Sequence, residues 1–292
     1  MPAATKENPH SSIDTPFLLP DGNVQIAFSG GRSSAYMLHH ILQVNGLLPN
    51  SVQVLFTNTG REFNESLNFV HECASRWEVP ITWLEYRPEP PYFETVSHNT
   101  ASRKGEPFEA LIKKQRYLPN QHARFCTAEL KVRTASRYLR SKGWERWTTV
   151  LGIRADEPKR LSGPPQRERW TCAYPLAAAG VTRRCVEAYW KQQPFDLRLP
   201  SANGRTPLGN CDGCFLKSER LIASLIRDFP ERADWWERME RETTEVAKKP
   251  SGARFSKNYS RAEMRDFIER QSDWIFDDGV DLLCAANGGD CL

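Results

Sequence analysis

The chain has 292 residues, of which 39% are hydrophobic and 26% are charged, and its formal net charge is +4. This length fits one large domain or one domain with a smaller appendage, and the small net charge excludes a bulk polycation. No run of about 18 apolar residues is present, so we expect no membrane span. The polar N-terminus lacks the apolar core of a signal peptide. We therefore expect a cytoplasmic protein with a disordered arm over residues 1–20.

Strand-like and helical segments alternate over the first 160 residues. The predicted strands are 23–28, 51–57, 81–86 and 147–153. The predicted helices are 33–44, 63–77 and 128–141. Such alternation favours βαβ units and a mostly parallel sheet with flanking helices. The sequence therefore predicts an α/β domain over residues 21–160.

The first predicted strand leads directly into a Ser-Gly-Gly-x-Ser-Ser turn and an amphipathic helix. We call this turn the Ser-Gly-Gly loop; it consists of Ser29, Gly30, Gly31, Arg32, Ser33 and Ser34. Glycines allow the backbone to come close to a ligand, and the first amides of a helix have no partners within it. This context predicts a phosphate-binding loop, with the alternative of an ordinary strand-to-helix turn.

Two further strand ends carry polar and basic residues. The second strand is followed by Asn58, Thr59, Gly60 and Arg61, and the fourth by Gly152, Arg154, Asp156, Glu157 and Arg160. Because the carboxyl ends of parallel strands meet at one edge of a sheet, these loops should converge on one anionic ligand. More arginines follow, and they suit anion capture, nucleic-acid contact or a solvated face equally.

The second half of the chain differs in character. Residues 158–184 are rich in Pro, Arg and Gly, which predicts a long loop. Helical patterns recur at 182–192, 218–229, 232–247 and 261–270. We therefore expect a loop-rich and helical extension over residues 161–292 that carries most of the cysteines.

Eight cysteines are many for a chain without a secretion signal. In a reducing compartment they point to metal, cluster or redox chemistry more than to disulfides. Cys211 and Cys214 form a CxxC unit, which can hold a metal or a cluster, act as a redox pair, or remain as free thiols. The candidates for further ligands are Cys126, Cys172, Cys284 and Cys291. Ligation by thiolates alone suits an iron–sulfur cluster or zinc.

Five motifs in this order carry a family resemblance. They are Ser29–Ser34, Asn58-Thr59-Gly60, Cys126-Thr127-x-x-Leu130-Lys131, Leu151–Glu157 and Asn210-Cys211-x-x-Cys214-Phe215-Leu216-Lys217. Together they resemble the phosphoadenosine phosphosulfate (PAPS) reductase family of the adenine-nucleotide α-hydrolase-like fold, also called the PP-loop superfamily. The PAPS reductase-like proteins of phages and bacteria are especially similar. The resemblance spans about residues 23–220.

The resemblance implies a Rossmann-like sheet that binds ATP or PAPS at the Ser-Gly-Gly loop. In sulfonucleotide reductases of this family a cysteine attacks the sulfur of the nucleotide, whereas related ATP pyrophosphatases and tRNA thiolases adenylate a substrate. Several relatives carry a [4Fe-4S] cluster. Cys126, Cys211 and Cys214 resemble part of such a ligand set, with Cys284 expected as the fourth ligand and zinc as the alternative metal.

The chain also departs from the family pattern. A single Cys126 stands where the family has two adjacent cysteines, and Ser33 stands where ATP pyrophosphatases have Asp. The C-terminus reads Gly289-Asp290-Cys291-Leu292, which only faintly resembles the catalytic tail of true PAPS reductases. Cys291 follows a Gly-Gly pair that would serve as a hinge, and we expect it to be the nucleophile.

Three functions remain open at this point. The first is a sulfonucleotide reductase that uses Cys291 and a thioredoxin-like thiol reductant. The second is an ATP-dependent sulfur transferase or nucleic-acid-modifying enzyme. The third is a nucleotide-binding regulatory protein in which the metal is structural. Besides the adenine nucleotide, a nucleic acid and a second copy of the chain, forming a homodimer, are candidate partners.

Overall fold

The computed structural model describes residues 15–161, 168–201, 204–247 and 252–270. The strands are β1 (Val24–Ala27), β2 (Val52–Asn58), β3 (Ile81–Tyr86), β4 (Phe93–Val96), β5 (Trp147–Leu151) and β6 (Trp170–Ala173). The helices of the first half are α1 (Arg32–Asn45), α2 (Asn64–Arg76), α3 (Glu106–Gln115), a π-helix (Thr127–Arg133) and α4 (Thr134–Ser141). The later helices are α5 (Pro175–Ala178), α6 (Arg183–Trp190), α7 (Glu219–Asp228), α8 (Pro230–Ala247) and α9 (Arg261–Arg270).

The strands form one sheet in the order β4-β3-β2-β1-β5-β6. All neighbours pair in parallel except β3 and β4. The central strand β1 lies between β2 and β5, where Ile26 is in register with Val54 and Val150. This is the predicted α/β, Rossmann-like architecture. It brings the loops that follow β1, β2 and β5 to adjacent positions at the carboxyl edge.

A hydrophobic core fixes the helix that carries the Ser-Gly-Gly loop. Val24 and Ile26 of β1 are fully buried, as are Leu38 of α1 and Leu67 of α2. Burial of each such side chain stabilises the fold by about 1.5–3 kcal/mol. The start of α1 is therefore held firmly against the end of β1.

The structure corrects several sequence-based expectations. The interval read as a long loop, 158–184, contains β6, which extends the sheet beyond residue 160 and stacks Trp170 on Trp147 with ring centroids 5.7 Å apart. The strand has only four residues, too few for a clear sequence pattern, and its pairing with β5 stabilises it. The antiparallel edge strand β4 and helix α3 were not predicted, and the first half of the predicted helix 128–141 is the π-helix.

Residues 15–20, within the segment expected to be a disordered arm, take part in the fold. Thr15–Phe17 form a 3₁₀-helix, and Phe17 is buried against the core within the segment expected to be disordered. Asn45, at the end of α1, explains this order because its amide donates to the Phe17 carbonyl (2.8 Å). Among the described helices, none is both long enough and apolar enough to cross a membrane.

Candidate functional site

An open cleft with about 1130 Å³ of empty space, part of it continuous with solvent, lies at the carboxyl edge of the sheet. We call it the main cleft. Its wall combines the Ser-Gly-Gly loop, Arg154 after β5, the start of α6 and the segment 204–217. Residues far apart in sequence thus meet where the predicted loops were expected to converge.

Gly30 and Gly31 of the Ser-Gly-Gly loop have different structural roles. Gly30 has φ of 75°, and a Cβ there would lie 3.0 Å from Val70 and 3.2 Å from Phe56, so this position requires glycine. At Gly31 a Cβ would meet only the Ser29 hydroxyl, at 3.7 Å. Gly30 therefore shapes the turn, whereas Gly31 leaves its backbone accessible from the main cleft.

Ser29 and Ser34 stabilise the loop with their hydroxyl groups, and the first backbone amides of α1 stay available to a ligand. The Ser34 hydroxyl donates to the Gly31 carbonyl (2.9 Å) and accepts from the Ser29 hydroxyl (3.0 Å). The first hydrogen bond within α1 runs from the Ala35 amide to the Gly31 carbonyl (3.1 Å). The backbone amides that precede Ala35 in the loop therefore have no backbone partner within the helix. At the positive end of the helix dipole these amides suit an anion.

Arg154 brings a buried positive charge to the same helix start. Its Nη1 donates to the Ser33 hydroxyl (2.8 Å), its Nε donates to Asp156 (2.9 Å), and Glu157 lies within 3.3 Å. Partial burial opposes ionisation of Asp156, but the charge and hydrogen bond of Arg154, together with the amide and charge of Arg183, outweigh it and lower the pKa of Asp156. The guanidinium is thereby oriented towards the first turn of α1.

The other predicted residues after β5 act around Arg154. A Cβ at Gly152 would lie 3.1 Å from Ser34 Cα, so glycine here lets the strand end pack against the helix start. The Arg160 guanidinium pairs with Glu157 (2.6 Å) and does not line the main cleft.

The side chain of Arg32 is engaged by Asp196 and Thr206. Its guanidinium makes two bonds of 2.7 Å to the Asp196 carboxylate and contacts the Thr206 hydroxyl at 3.3 Å. Arg32 thus ties the Ser-Gly-Gly loop to the far wall of the main cleft. Nothing in the sequence singles out Asp196, which lies 164 positions away along the chain.

After β2, Asn58 is structural. Its side chain is fully buried and donates to Glu85 (2.6 Å) and to the Ser102 carbonyl (2.8 Å). Asn58 also accepts from the Gly60 amide (3.1 Å), which shapes the turn. These bonds hold the end of β2 and leave the Asn58 amide no free donor for a nucleotide.

Thr59 links a carboxylate in the main cleft to the CxxC unit. The Thr59 hydroxyl lies 2.8 Å from Glu62 and 3.3 Å from Cys211 Sγ. An ionised carboxylate only accepts, so Thr59 donates to Glu62 and the Cys211 thiol donates to Thr59. Burial, reinforced by the charge of Glu62, raises the pKa of Cys211 to about 12. Glu62 lines the main cleft, although the motifs do not single it out.

The loop Cys211–Cys214, here called the CxxC loop, is anchored by a buried aspartate. Asp212 accepts from Arg61 (2.6 Å), Arg232 (2.5 Å) and Trp236 Nε1 (2.7 Å). Arg61 therefore faces Asp212 and not the main cleft, and burial lowers its pKa. The three donors fasten the CxxC loop to the end of β2 and to α8.

The cysteines are only partly brought together. Cys214 lines the main cleft, and the charge of Cys126 acts on Cys211 closely enough to raise its pKa. In the described part of the chain, no group of three or more His, Cys, Asp or Glu side chains is arranged to hold a metal ion. Cys172 lies on β6 and not in the main cleft. Cys284 and Cys291 lie outside the described residues.

Several basic residues of the main cleft were missed or only loosely indicated. Arg205 belongs to none of the sequence motifs, and Lys217 belongs to the CxxC motif but had no assigned role. Arg183 is one of the arginines that follow the fourth predicted strand. Together with Arg154 they make the main cleft cationic. This charge fits a ligand that carries phosphate or sulfate groups.

Comparison with known proteins gives this site a context. Residues 23–170, just over half of the chain, match the family model described as the phosphoadenosine phosphosulfate reductase domain. The uncharacterized nin region protein ORF290 of Escherichia phage lambda is 32% identical over 212 residues, which is 70% of this chain and 69% of that protein.

Two solved structures show a looser similarity. The phosphoadenylyl-sulfate (PAPS) reductase from Candida auris, a phosphate complex, is 16% identical with a TM-score of 0.41, covering 65% of this chain and 89% of that one. The U34-tRNA thiolase NcsA from Methanococcus maripaludis, with its [4Fe-4S] cluster, is 8% identical with a TM-score of 0.35, covering 93% and 90%.

Proposed function

Because this chain belongs to the phosphoadenosine phosphosulfate reductase family, we propose that it binds an adenine nucleotide in the main cleft and acts on a sulfonucleotide through a cysteine thiolate. The observation that carries the proposal is the bond between Arg154 and Ser33 (2.8 Å), which places a guanidinium beside the open amides of α1. Phosphate oxygens would accept from both sets of donors.

The nucleotide-binding residues divide by the atoms they would offer. Backbone amides come from Gly30 to Ser34, a hydroxyl from Ser33 and a guanidinium from Arg154. Asp156, Glu157 and Gly152 would orient Arg154 and the helix start, and Arg160 would act through Glu157. Arg32, Asn58, Thr59, Gly60 and Arg61 would shape the walls of the main cleft rather than contact the phosphates with their side chains.

The reaction needs one nucleophilic thiolate. Cys291 would attack the sulfur of the bound sulfonucleotide, so that an S–S bond forms and the bond from sulfur to the phosphate oxygen breaks. The nucleotide leaves with that oxygen, and a thioredoxin-like dithiol then releases sulfite as it becomes a disulfide. Arginines near the sulfate would favour the thiolate over the thiol. A reducing cytoplasm suits the free thiols of the described cysteines.

We also propose a [4Fe-4S] cluster on Cys126, Cys211, Cys214 and Cys284, with zinc as the rival. The turn in which Cys214 N donates to Cys211 O (3.4 Å) supports it, because it holds the two cysteines of the CxxC loop near each other. The described residues do not by themselves complete a metal site, so no step above depends on the cluster.

Metal analysis of anaerobically purified protein tests the cluster. A brown protein that absorbs near about 400 nm and contains iron and sulfide would support it, and Cys211→Ser should bleach this colour. A colourless protein with one zinc would keep the site and replace the cluster. Protein free of any metal would contradict both.

A second candidate function is ATP-dependent sulfur transfer. It is favoured by Glu62, a buried carboxylate that lines the main cleft and could hold the Mg²⁺ of a bound nucleotide. The two functions differ in their products. We expect sulfite from PAPS and a thiol reductant, whereas the alternative requires pyrophosphate from ATP. Nucleotide binding without either product would contradict both and leave a regulatory role.

A further inference from the structure

A second, open cleft, with about 1090 Å³ of empty space of which part is continuous with solvent, lies beside the start of α8 and the loop before α3. We call it the α8 cleft. The residues that matter here are Arg61, Arg103, Lys104, Arg232, Trp235 and Arg241. Arg61 and Arg232 also hold Asp212, and neither of them lines the main cleft. Nothing in the proposed function uses it.

Carboxylates neutralise only part of the positive charge of the α8 cleft, in which Arg238 pairs with Glu109 (2.7 Å) and Glu242 (3.1 Å). Six of the lining residues are cationic and three are acidic. Arg103 donates only to Asn64 and to the carbonyls of Ala101 and His98. Lys104 and Arg241 are exposed, and in the described ranges neither has a carboxylate partner. Arg61 and Arg232 share the single charge of Asp212.

The acidic residues of the α8 cleft are largely engaged elsewhere. Asp234 and Glu237 both pair with Arg265, at 2.5 and 3.0 Å. Only Glu231 has no cationic partner within the part of the chain that the structure describes. The α8 cleft therefore holds an excess of positive charge, which attracts an anion.

Unused donors line the same wall. Among the described residues, Nη1 of Arg61 and Nη1 of Arg232 make no hydrogen bond, and neither does the buried Nε1 of Trp235. Trp235 is only 5% exposed, so its indole N–H has lost water without gaining an acceptor. Buried donors of this kind call for an explanation, and an oxygen-rich ligand would satisfy them.

From these observations we infer that the α8 cleft binds a phosphate group, carried either by a nucleic-acid strand or by a small phosphorylated molecule. Guanidinium groups match phosphate oxygens in geometry as well as charge. The volume exceeds that of one phosphate, which leaves room for the group that carries it.

Charge reversal in the α8 cleft tests this proposal. The variant Lys104→Glu/Arg241→Glu changes two exposed side chains outside the buried network. Its matched control is Arg140→Glu/Arg146→Glu, with the same charge change on two exposed residues, one in α4 and one just before β5. The probes are a fluorescein-labelled single-stranded oligodeoxynucleotide of about 15 residues, followed by anisotropy, and inorganic phosphate and AMP, followed by calorimetry.

We expect the α8-cleft variant to weaken at least one phosphate probe by about tenfold or more, and the control to change it by less than about twofold. If the affected probe is the oligonucleotide, its salt dependence should also become shallower, because fewer phosphates are neutralised. Loss for the oligonucleotide alone identifies a nucleic-acid strand as the source. Loss for phosphate and AMP identifies a small molecule.

Trp235→Phe keeps the ring and removes the donor, and it should weaken the same probe by about threefold without lowering the unfolding midpoint. Gly31→Val, which blocks the main cleft, should leave oligonucleotide binding unchanged; phosphate and AMP can also enter the main cleft, so their titrations are made in the Gly31→Val background. The variants Trp235→Phe and Gly31→Val therefore distinguish the α8 cleft from the main cleft. If the main cleft bound no nucleotide, the expected loss of binding in the α8-cleft variants would be the same. Equal losses in the α8-cleft variant and the control, or no phosphate binding by the native chain, would overturn the proposal.

Discussion

The Ser-Gly-Gly loop and the CxxC loop contribute to the same cleft, but they are held in opposite ways. The Ser-Gly-Gly loop is braced by bonds among its own residues, such as Ser34 to Gly31 (2.9 Å). The CxxC loop depends on Asp212, whose partners Arg61 and Arg232 come from distant elements. A site built from local backbone is robust to remote changes, whereas a loop held by one buried carboxylate fails when that carboxylate is lost.

The largest effect should follow from Asp212→Asn. It leaves two arginines near the core without a carboxylate, and breaking a buried pair in this way costs about 3–5 kcal/mol. Asp228→Asn is the matched control, since among the described residues Asp228 pairs only with its exposed neighbour Arg227 (2.7 Å). The control should change the free energy of unfolding in urea by less than about 1 kcal/mol. Equal losses in the two variants would show that the CxxC loop does not depend on Asp212.

The Ser-Gly-Gly loop should separate stability from binding. Among the described residues, a Cβ at Gly31 would meet only the Ser29 hydroxyl, at 3.7 Å, so Gly31→Val should lower ATP affinity by about tenfold or more and leave the unfolding midpoint unchanged. Gly30→Ala is the opposite case. Its φ of 75° and its contact with Val70 at 3.0 Å predict a loss of about 1–3 kcal/mol in stability. Calorimetry measures the ATP affinity of both variants, and thermal unfolding measures their stability. A Gly31→Val protein with native ATP affinity would contradict the prediction.

The arginines after β5 provide a finer comparison. Arg154→Ala removes a charge-assisted bond at the helix start, typically about 1.5–3 kcal/mol, and should raise the ATP dissociation constant by about tenfold or more. Arg160→Ala should raise it by less than about threefold, because Arg160 acts only through Glu157 (2.6 Å). Similar losses for both would place Arg160 in contact with the ligand.

The smallest effect concerns the attachment of α8 to α3. The hydrogen bond from Arg238 lowers the pKa of Glu109 to about 2, below its ordinary 4.5. A depressed carboxyl pKa stabilises the fold above the unfolded value, and this contribution is lost as pH falls towards 2. Glu109→Gln should therefore cost about 0.5–1 kcal/mol at pH 7. In urea titrations the difference from the native chain should shrink between pH 4.5 and 2; a constant difference would contradict it.

The sequence predicts local features far better than distant partners. The β1 strand, the glycine turn and α1 follow one another within about twenty residues, so propensity and motif are both visible. By contrast, Arg61 and Asp212 are 151 positions apart, and Arg32 and Asp196 are 164 apart. Such pairings arise only when the sheet closes. For this reason the motifs located Arg32 and Arg61 but not the carboxylates that their side chains bind.

Short edge elements were missed for a related reason. β6 is only Trp170–Ala173, and its neighbours along the chain are polar and proline-rich. Pairing with β5 supplies the stability that its own sequence does not indicate. Glu62 and Arg205 were missed for the same reason, because the loops that bring them to the main cleft take their paths from tertiary packing.

Hydrogen exchange of the full chain, with and without saturating ATP or PAPS, tests the central claim most directly. If the nucleotide lies between the two walls of the main cleft, amides of residues 30–35 and 204–217 should both become protected, and amides near the amino end of β5 should not change. Protection that spares residues 30–35, or that appears only outside the main cleft, would contradict the account.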